Sequence, residues 1–201
     1  MSIPQGKTRQ QQKGDDLCAA IMRALSGEAD IHYRGQRLHQ GQRQLQVHAP
    51  HLQPDPAQDD FSSFRGTADS IALRLLHTDP VLHRQLCPAD PVERLVFELL
   101  EQLRVETMVP DAMPGMTQNL RHRFSAWSHA FDQSGLTESA SGILLYTVFQ
   151  ICWSRLTGQP VLARTEDLIE STRAAIAPIL GKDLLGIRRN CRAQSVYAQH
   201  A

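Results

Sequence analysis

The sequence predicts a mainly α fold, a helical bundle with a small β-hairpin-like appendage near its N-terminus. Two patterns predict the bundle. From Phe61 onward, segment after segment repeats apolar residues at the three- and four-residue spacing of a buried helix face. One of these, GILLYTVFQICW at 142–153, is apolar on nearly all sides, as the helix at the centre of a bundle is. The appendage is predicted by IHYRGQRLHQGQRQLQVH at 31–48. There Ile31 and Tyr33, then Leu45 and Val47, alternate with polar neighbours around Gly35 and Gly41, which reads as two short strands.

Along the chain, residues 1–14 are polar and read as a disordered lead-in. Asp15 is placed to cap a helix whose stripe is Leu17, Cys18, Ile21, Ala24 and Leu25, and Gly27 stops it. After the strands, which complete an appendage over 15–49, the segment 50–60 (PHLQPDPAQDD) holds three prolines and three aspartates and reads as a linker. The helical core is expected over 61–190. Its first helix puts Ala68, Ile71, Ala72, Leu75 and Leu76 on one face and ends before Pro80. The short apolar piece VLHRQL follows.

Asp90-Pro91-Val92-Glu93 is the sharpest local signal. Asp90 accepts from free backbone N–H groups, Pro91 suits the first helical position, and Glu93 favours the positive end of the helix dipole. Val92, Leu95, Val96, Leu99, Leu100 and Leu103 are that helix's expected buried face, running to about Met108. Met116, Leu120, Phe124, Trp127 and Phe131 mark the next helix, broken at Ser134-Gly135. Thr137 is the candidate cap for the apolar central helix. Thr165 with Glu166 and Asp167 starts another, which Ala177-Pro178 should kink or break and Gly181 should end. Leu184, Leu185 and Ile187 suggest a last short helix, and 191–201 reads as a basic tail.

The 21 basic and 21 acidic residues cancel, which argues against a general electrostatic grip on nucleic acid or anionic lipid. The N-terminus has no apolar core of the secretory type. The longest apolar-rich run, 143–153, is far short of the ~20 residues that cross a bilayer. Cytoplasm is the expected compartment. The cysteines at 18, 87, 152 and 191 form no CxxC pair, and Cys18 and Cys152 sit among apolar neighbours as small hydrophobes.

No GxxxxGK[ST], GxGxxG after a strand, HExxH or GxSxG occurs, so ATP hydrolysis or dinucleotide binding by this chain itself is not expected. His32, His39, His48 and His51 cluster in the N-terminal quarter, but alternation puts His32 and His48 on polar strand faces, and nothing in the spacing brings ligands together. His77 with His83, and His122 with His129, likewise offer two ligands and not a site. Glu98, Glu101, Arg104 and Glu106 offer a carboxylate cluster for acid–base work, but read first as a charged solvent face with Glu101–Arg104 pairing, or as a buried Arg–Glu contact to a neighbouring helix or partner.

The stretch FRGTADSIALRLLHTDPVLHRQL, followed by ERLVFELLEQLRVETMVPDAMPGMTQNL, resembles the N-terminal region of CobT, the T subunit of aerobic cobaltochelatase. The likeness is densest at Glu101-Gln102-Leu103-Arg104-Val105-Glu106, Met113-Pro114-Gly115-Met116 and Asn119-Leu120, and strongest over Phe64–Phe124. It implies a noncatalytic scaffold region in a three-component machine of cobalamin biosynthesis. In that family a large subunit holds the corrinoid and an AAA+ ATPase ring supplies energy. The complex uses ATP, magnesium and cobalt to metallate hydrogenobyrinate a,c-diamide. The partners implied are those two subunits, with no nucleic acid and no membrane. The resemblance offers Arg104, Glu106 and Asn119 as partner-binding residues. It offers no catalytic, cofactor-binding or metal residue, and no cofactor bound by this chain.

Family members continue into a von Willebrand factor A domain with a DxSxS metal-ion site. Asp60-Phe61-Ser62-Ser63-Phe64 and Asp132-Gln133-Ser134-Gly135-Leu136 each match DxS and then fail, at Phe64 and Leu136, and neither follows a buried strand. The chain therefore reads as an isolated N-terminal region. Two other readings compete: a helical adaptor for another AAA+ ATPase, unrelated to cobalt, and a metal-dependent activity built on the His-rich N-terminal quarter.

Overall fold

A computed structural model describes residues 9–35 and 37–201. Its elements, in chain order, are α1 (Arg9–Ser26), β1 (Ile31–Arg34), β2 (Arg37–Gln40), β3 (Arg43–Gln44), α2 (Phe61–His77), α3 (Pro80–Leu86), α4 (Pro91–Glu106), α5 (Pro114–Gln133), α6 (Ala140–Thr157), α7 (Ala163–Asn190) and α8 (Gln194–Tyr197). The fold is mainly α, with one small antiparallel sheet in the order β1-β2-β3. Ile31 pairs with Gln40 and His39 with Gln44. Gly35 and Gly41 take positive φ at the two turns, so the expected hairpin is a three-stranded meander whose middle strand is Arg37–Gln40.

Three hydrophobic clusters hold the elements together. The largest joins Leu99, Leu100 and Leu103 of α4 to Phe124 and Trp127 of α5, Tyr146, Phe149 and Trp153 of α6, Ile169 and Ile187 of α7 and Tyr197 of α8. At its centre Phe124 and Trp153 stack with ring centroids 4.4 Å apart and planes 2° from parallel. The second cluster packs Cys18 and Met22 of α1 and Ile31 and Leu38 of the sheet onto Ala68 and Ile71 of α2. The third seats Leu73 and Val105 against Met116 and Leu120. Helix α2 lies between them, bearing α1 on one side and α5 on the other. The α2–α5 crossing is tight at Gly66, where an added Cβ would sit 2.8 Å from Arg123 Cβ and closer still to the Asn119 carbonyl.

The helix starts follow the local chemistry. Asp60, Asp79, Asp90 and Ser139 each accept from backbone N–H groups at the starts of α2, α3, α4 and α6. Several expected boundaries shift. Helix α1 begins at Arg9, so Asp15 lies inside it, because the Gln-, Arg- and Lys-rich stretch before it has good helix propensity. The rest of the expected lead-in, residues 1–8, lies outside the described residues. The cap of α6 is Ser139; Thr137 sits in a 3-10 turn, Leu136–Glu138. VLHRQL is a full helix, α3.

Segment 50–60 is not a free linker. Its 3-10 turn Pro50–Leu52 buries His51 and Leu52, and Asp59 pairs with Arg123 of α5 at 2.8 Å. Helix α7 continues through Pro178 and Gly181 to Asn190. Ala174, whose carbonyl loses its partner to the proline, is exposed together with Pro178, so water can serve that carbonyl. The expected basic tail instead returns to the core as α8, with Tyr197 1% exposed and its hydroxyl donating to the Leu100 carbonyl at 2.7 Å. No described helix is long and apolar enough to cross a membrane.

Candidate functional site

Helix α4 positions the densest polar chemistry in the molecule. Residues 97–106 are all buried, including Glu98, Glu101, Gln102, Arg104 and Glu106. Leu99, Leu100 and Leu103 of the expected apolar face are buried and Val92 is 70% exposed, while the charged positions, read first as a solvent face, are buried too and face α2, α3 and α8. A helical segment buried on every side, as 97–106 is, must pair its charges internally, because an unpaired buried charge costs several kcal/mol or more.

The pairing runs as a seam along α4. At its C-terminal end Glu106 Oε1 accepts from His51 Nε2 at 2.8 Å and from the Ser70 hydroxyl. Gln102 Nε2 donates to Ser70 Oγ at 2.7 Å and to the Ser70 carbonyl at 3.1 Å. Glu101 takes the guanidinium of Arg104 through both oxygens, at 2.7 and 2.8 Å, and the Thr78 hydroxyl at 2.6 Å. Arg104 then ties three segments together, donating to the carbonyls of His77 at 2.7 Å and Cys191 at 3.1 Å, with the Tyr197 ring 6.0 Å from its Cζ. At the N-terminal end Glu98 meets Arg74 through Oε2 and His83 Nε2 through Oε1 at 2.9 Å. Burial alone would push the Glu98 carboxyl up; the hydrogen bond from His83 and the Arg74 cation outweigh it and hold it at about 2.

Ser70, His51 and Glu106 are the residue types of a nucleophilic triad, but their order is wrong for one. Ser70 and His51 both donate to the same carboxylate oxygen, so the imidazole is not placed to take the serine proton. All three are buried, and the arrangement fixes side chains without activating one.

Arg104 and Glu106, expected to bind partners, face the interior, 1% and 6% exposed, and bond within the chain. Asn119 is half-buried and donates to Asp69 Oδ2 at 2.7 Å. Of the readings of the α4 charges, the buried Arg–Glu contact is the one that forms. Of the expected histidine groups, His32 stacks on His39 at the sheet surface, while His122 lies 2.9 Å from Asp60 and His129 3.2 Å from Arg164. The near-miss Asp60 to Phe64 is a helix start, with Asp60 capping Ser63 N. Sequence reasoning missed His51 and His83 as interior residues. The only hint was their position beside apolar neighbours, Leu52 and Leu82, in segments flanked by proline.

Fold and seam together define a helical protein whose buried charges are spent on holding its own segments in register. The family model of cobalamin biosynthesis protein CobT matches residues 14–201, and the chain belongs to that family. No solved structure matches it.

Proposed function

We propose that this chain is a noncatalytic scaffold region of a cobaltochelatase subunit, assisting ATP-dependent insertion of cobalt into hydrogenobyrinate a,c-diamide. The observation that carries the reading is the family match across 14–201, which supports a role in cobalamin biosynthesis. The geometry is consistent with a scaffold: the seam positions no nucleophile beside a base, and its charged groups are bonded to one another. On this reading the partners are an AAA+ ATPase subunit and a large corrinoid-binding subunit, and ATP and magnesium act in the ATPase. Cobalt is the substrate of the assembly.

The immobilised chain is offered the ATPase subunit with and without nucleotide, then the large subunit. Retention of the ATPase in at least one nucleotide state is the expected result. A folded chain that retains neither subunit in any state overturns the proposal.

A further inference from the structure

We propose that His83, Cys87 and Glu98 form a binding site for a borderline divalent transition metal ion, with His48 as a fourth ligand. One ring nitrogen of His83, the Cys87 sulfur and one Glu98 carboxylate oxygen lie within 4.8 Å of one another. His48 Nε2 stands 4.0 Å from Glu98 Oε1, the oxygen that also meets His83. Three donors, from His83, Cys87 and His48, thus stand near the Glu98 carboxylate. In a tetrahedral site with bonds of about 2.0–2.3 Å, ligand atoms sit about 3.5 Å apart, so adjustments of about 1 Å bring the His83, Cys87 and Glu98 atoms to that spacing.

The fold builds this geometry from three places. His83 and Cys87 are one turn apart at the end of α3, Glu98 projects from α4, and His48 comes from the segment after β3. The His83 ring is held against Phe97, with centroids 5.1 Å apart. Arg74 grips Glu98 Oε2, which leaves Oε1 turned to the histidines.

A second observation points to a missing ligand. His83 is 8% exposed, yet its Nδ1 has no hydrogen-bond partner among the described residues. Its Nε2 is approached by the Arg74 donor at 3.2 Å and by the Glu98 acceptor at 2.9 Å, and a single ring nitrogen cannot serve both. With the Nε2–H donated to Glu98, the Nδ1 lone pair meets no donor among the described residues, and a metal ion is a partner that takes such a lone pair.

The donor set selects the ion. Nitrogen, thiolate and a single carboxylate favour zinc, cobalt(II) or nickel(II); magnesium and calcium require oxygen ligands. Binding replaces the Cys87 S–H bond with a sulfur–metal bond and releases that proton to solvent. The thiolate and Glu98 then balance the two charges of the ion, with Arg74 remaining on the far carboxylate oxygen.

Cobalt(II) titrated into the reduced, purified chain provides the test, with absorbance and calorimetry as readouts. The expected result is one equivalent bound, with a near-ultraviolet thiolate-to-cobalt charge-transfer band. Cys87→Ser should abolish the band and His48→Ala should weaken binding by about tenfold or more. Both positions lie at the edge of the fold, so the variants should keep the wild-type circular dichroism spectrum. Cys191→Ser, which alters the other half-buried thiol, should leave the band intact. Absence of stoichiometric binding, a bound ion without the band, or a band that survives Cys87→Ser overturns the site. The cluster is then only an Arg74–Glu98–His83 ion pair.

Discussion

Glu98 is where the residue-scale argument is most exposed to test. Its carboxyl is lowered from 4.5 to about 2, so the fold stabilises the charged form. That contribution is complete above about pH 4.5, falls as the pH drops towards 2, and amounts to about 3 kcal/mol at most. Urea unfolding of wild type across this window should show stability falling with acid. Glu98→Gln, which leaves Arg74 without its counter-charge, should be less stable at pH 7 by about 2–4 kcal/mol and should flatten the acid dependence. An unchanged acid profile in the variant would assign the effect to another carboxylate. Gly66 offers a steric test: Gly66→Ala places a methyl against Arg123 Cβ and the Asn119 carbonyl, and should cost about 1–3 kcal/mol in the same assay. Neither feature was legible in the sequence. Glu98 alternates with leucines as a surface charge would, and a glycine required by a helix crossing looks like any other glycine until its neighbour is known.

The elements themselves were far easier to read. Asp90-Pro91 announced the start of α4, and the structure places Asp90 Oδ1 2.8 and 3.0 Å from the amides of Val92 and Glu93. Asp90→Ala should cost about 1 kcal/mol and speed amide exchange in the first turn of α4, measured by hydrogen exchange. The stripe of α5 and the all-round apolar α6 were equally plain, since apolar period is a local property. What misled was α7. Proline and glycine predicted a break there, but the exposed middle of the helix tolerates Pro178 while Ile169 and Ile187 anchor the two ends. Pro178→Ala should therefore stabilise the protein, by up to about 3 kcal/mol, with a small gain in helical circular dichroism. Loss of stability in that variant would mean that the proline shapes a bend the packing needs. The charges of α4 misled for a related reason. Periodicity reports which faces are apolar but not that an opposite, charged face is also covered, and only the seam with α2, α3 and α8 reveals that.

At the scale of the whole molecule, the expected division into appendage, linker, core and tail gives way to interlocking. His51 of the expected linker reaches Glu106, Asp59 reaches Arg123, and Tyr197 near the chain end reaches Leu100. Sequence composition marked these segments as polar or proline-rich, and composition carries no information about a single buried residue within such a segment. Unfolding should consequently be cooperative. Far-ultraviolet circular dichroism, which reports all helices, and tryptophan fluorescence, which reports Trp127 and Trp153 in the largest cluster, should give coincident thermal transitions. A separate early transition in circular dichroism alone would mean that the α1 and sheet layer folds apart from the rest. This interlocked, inwardly paired body is consistent with the scaffold role proposed above for this CobT-family chain. The most direct test is the mass of the chain in solution with the ATPase subunit, measured by light scattering with and without nucleotide. A complex that forms in at least one nucleotide state is the expected result; a folded chain that migrates alone in both contradicts the account.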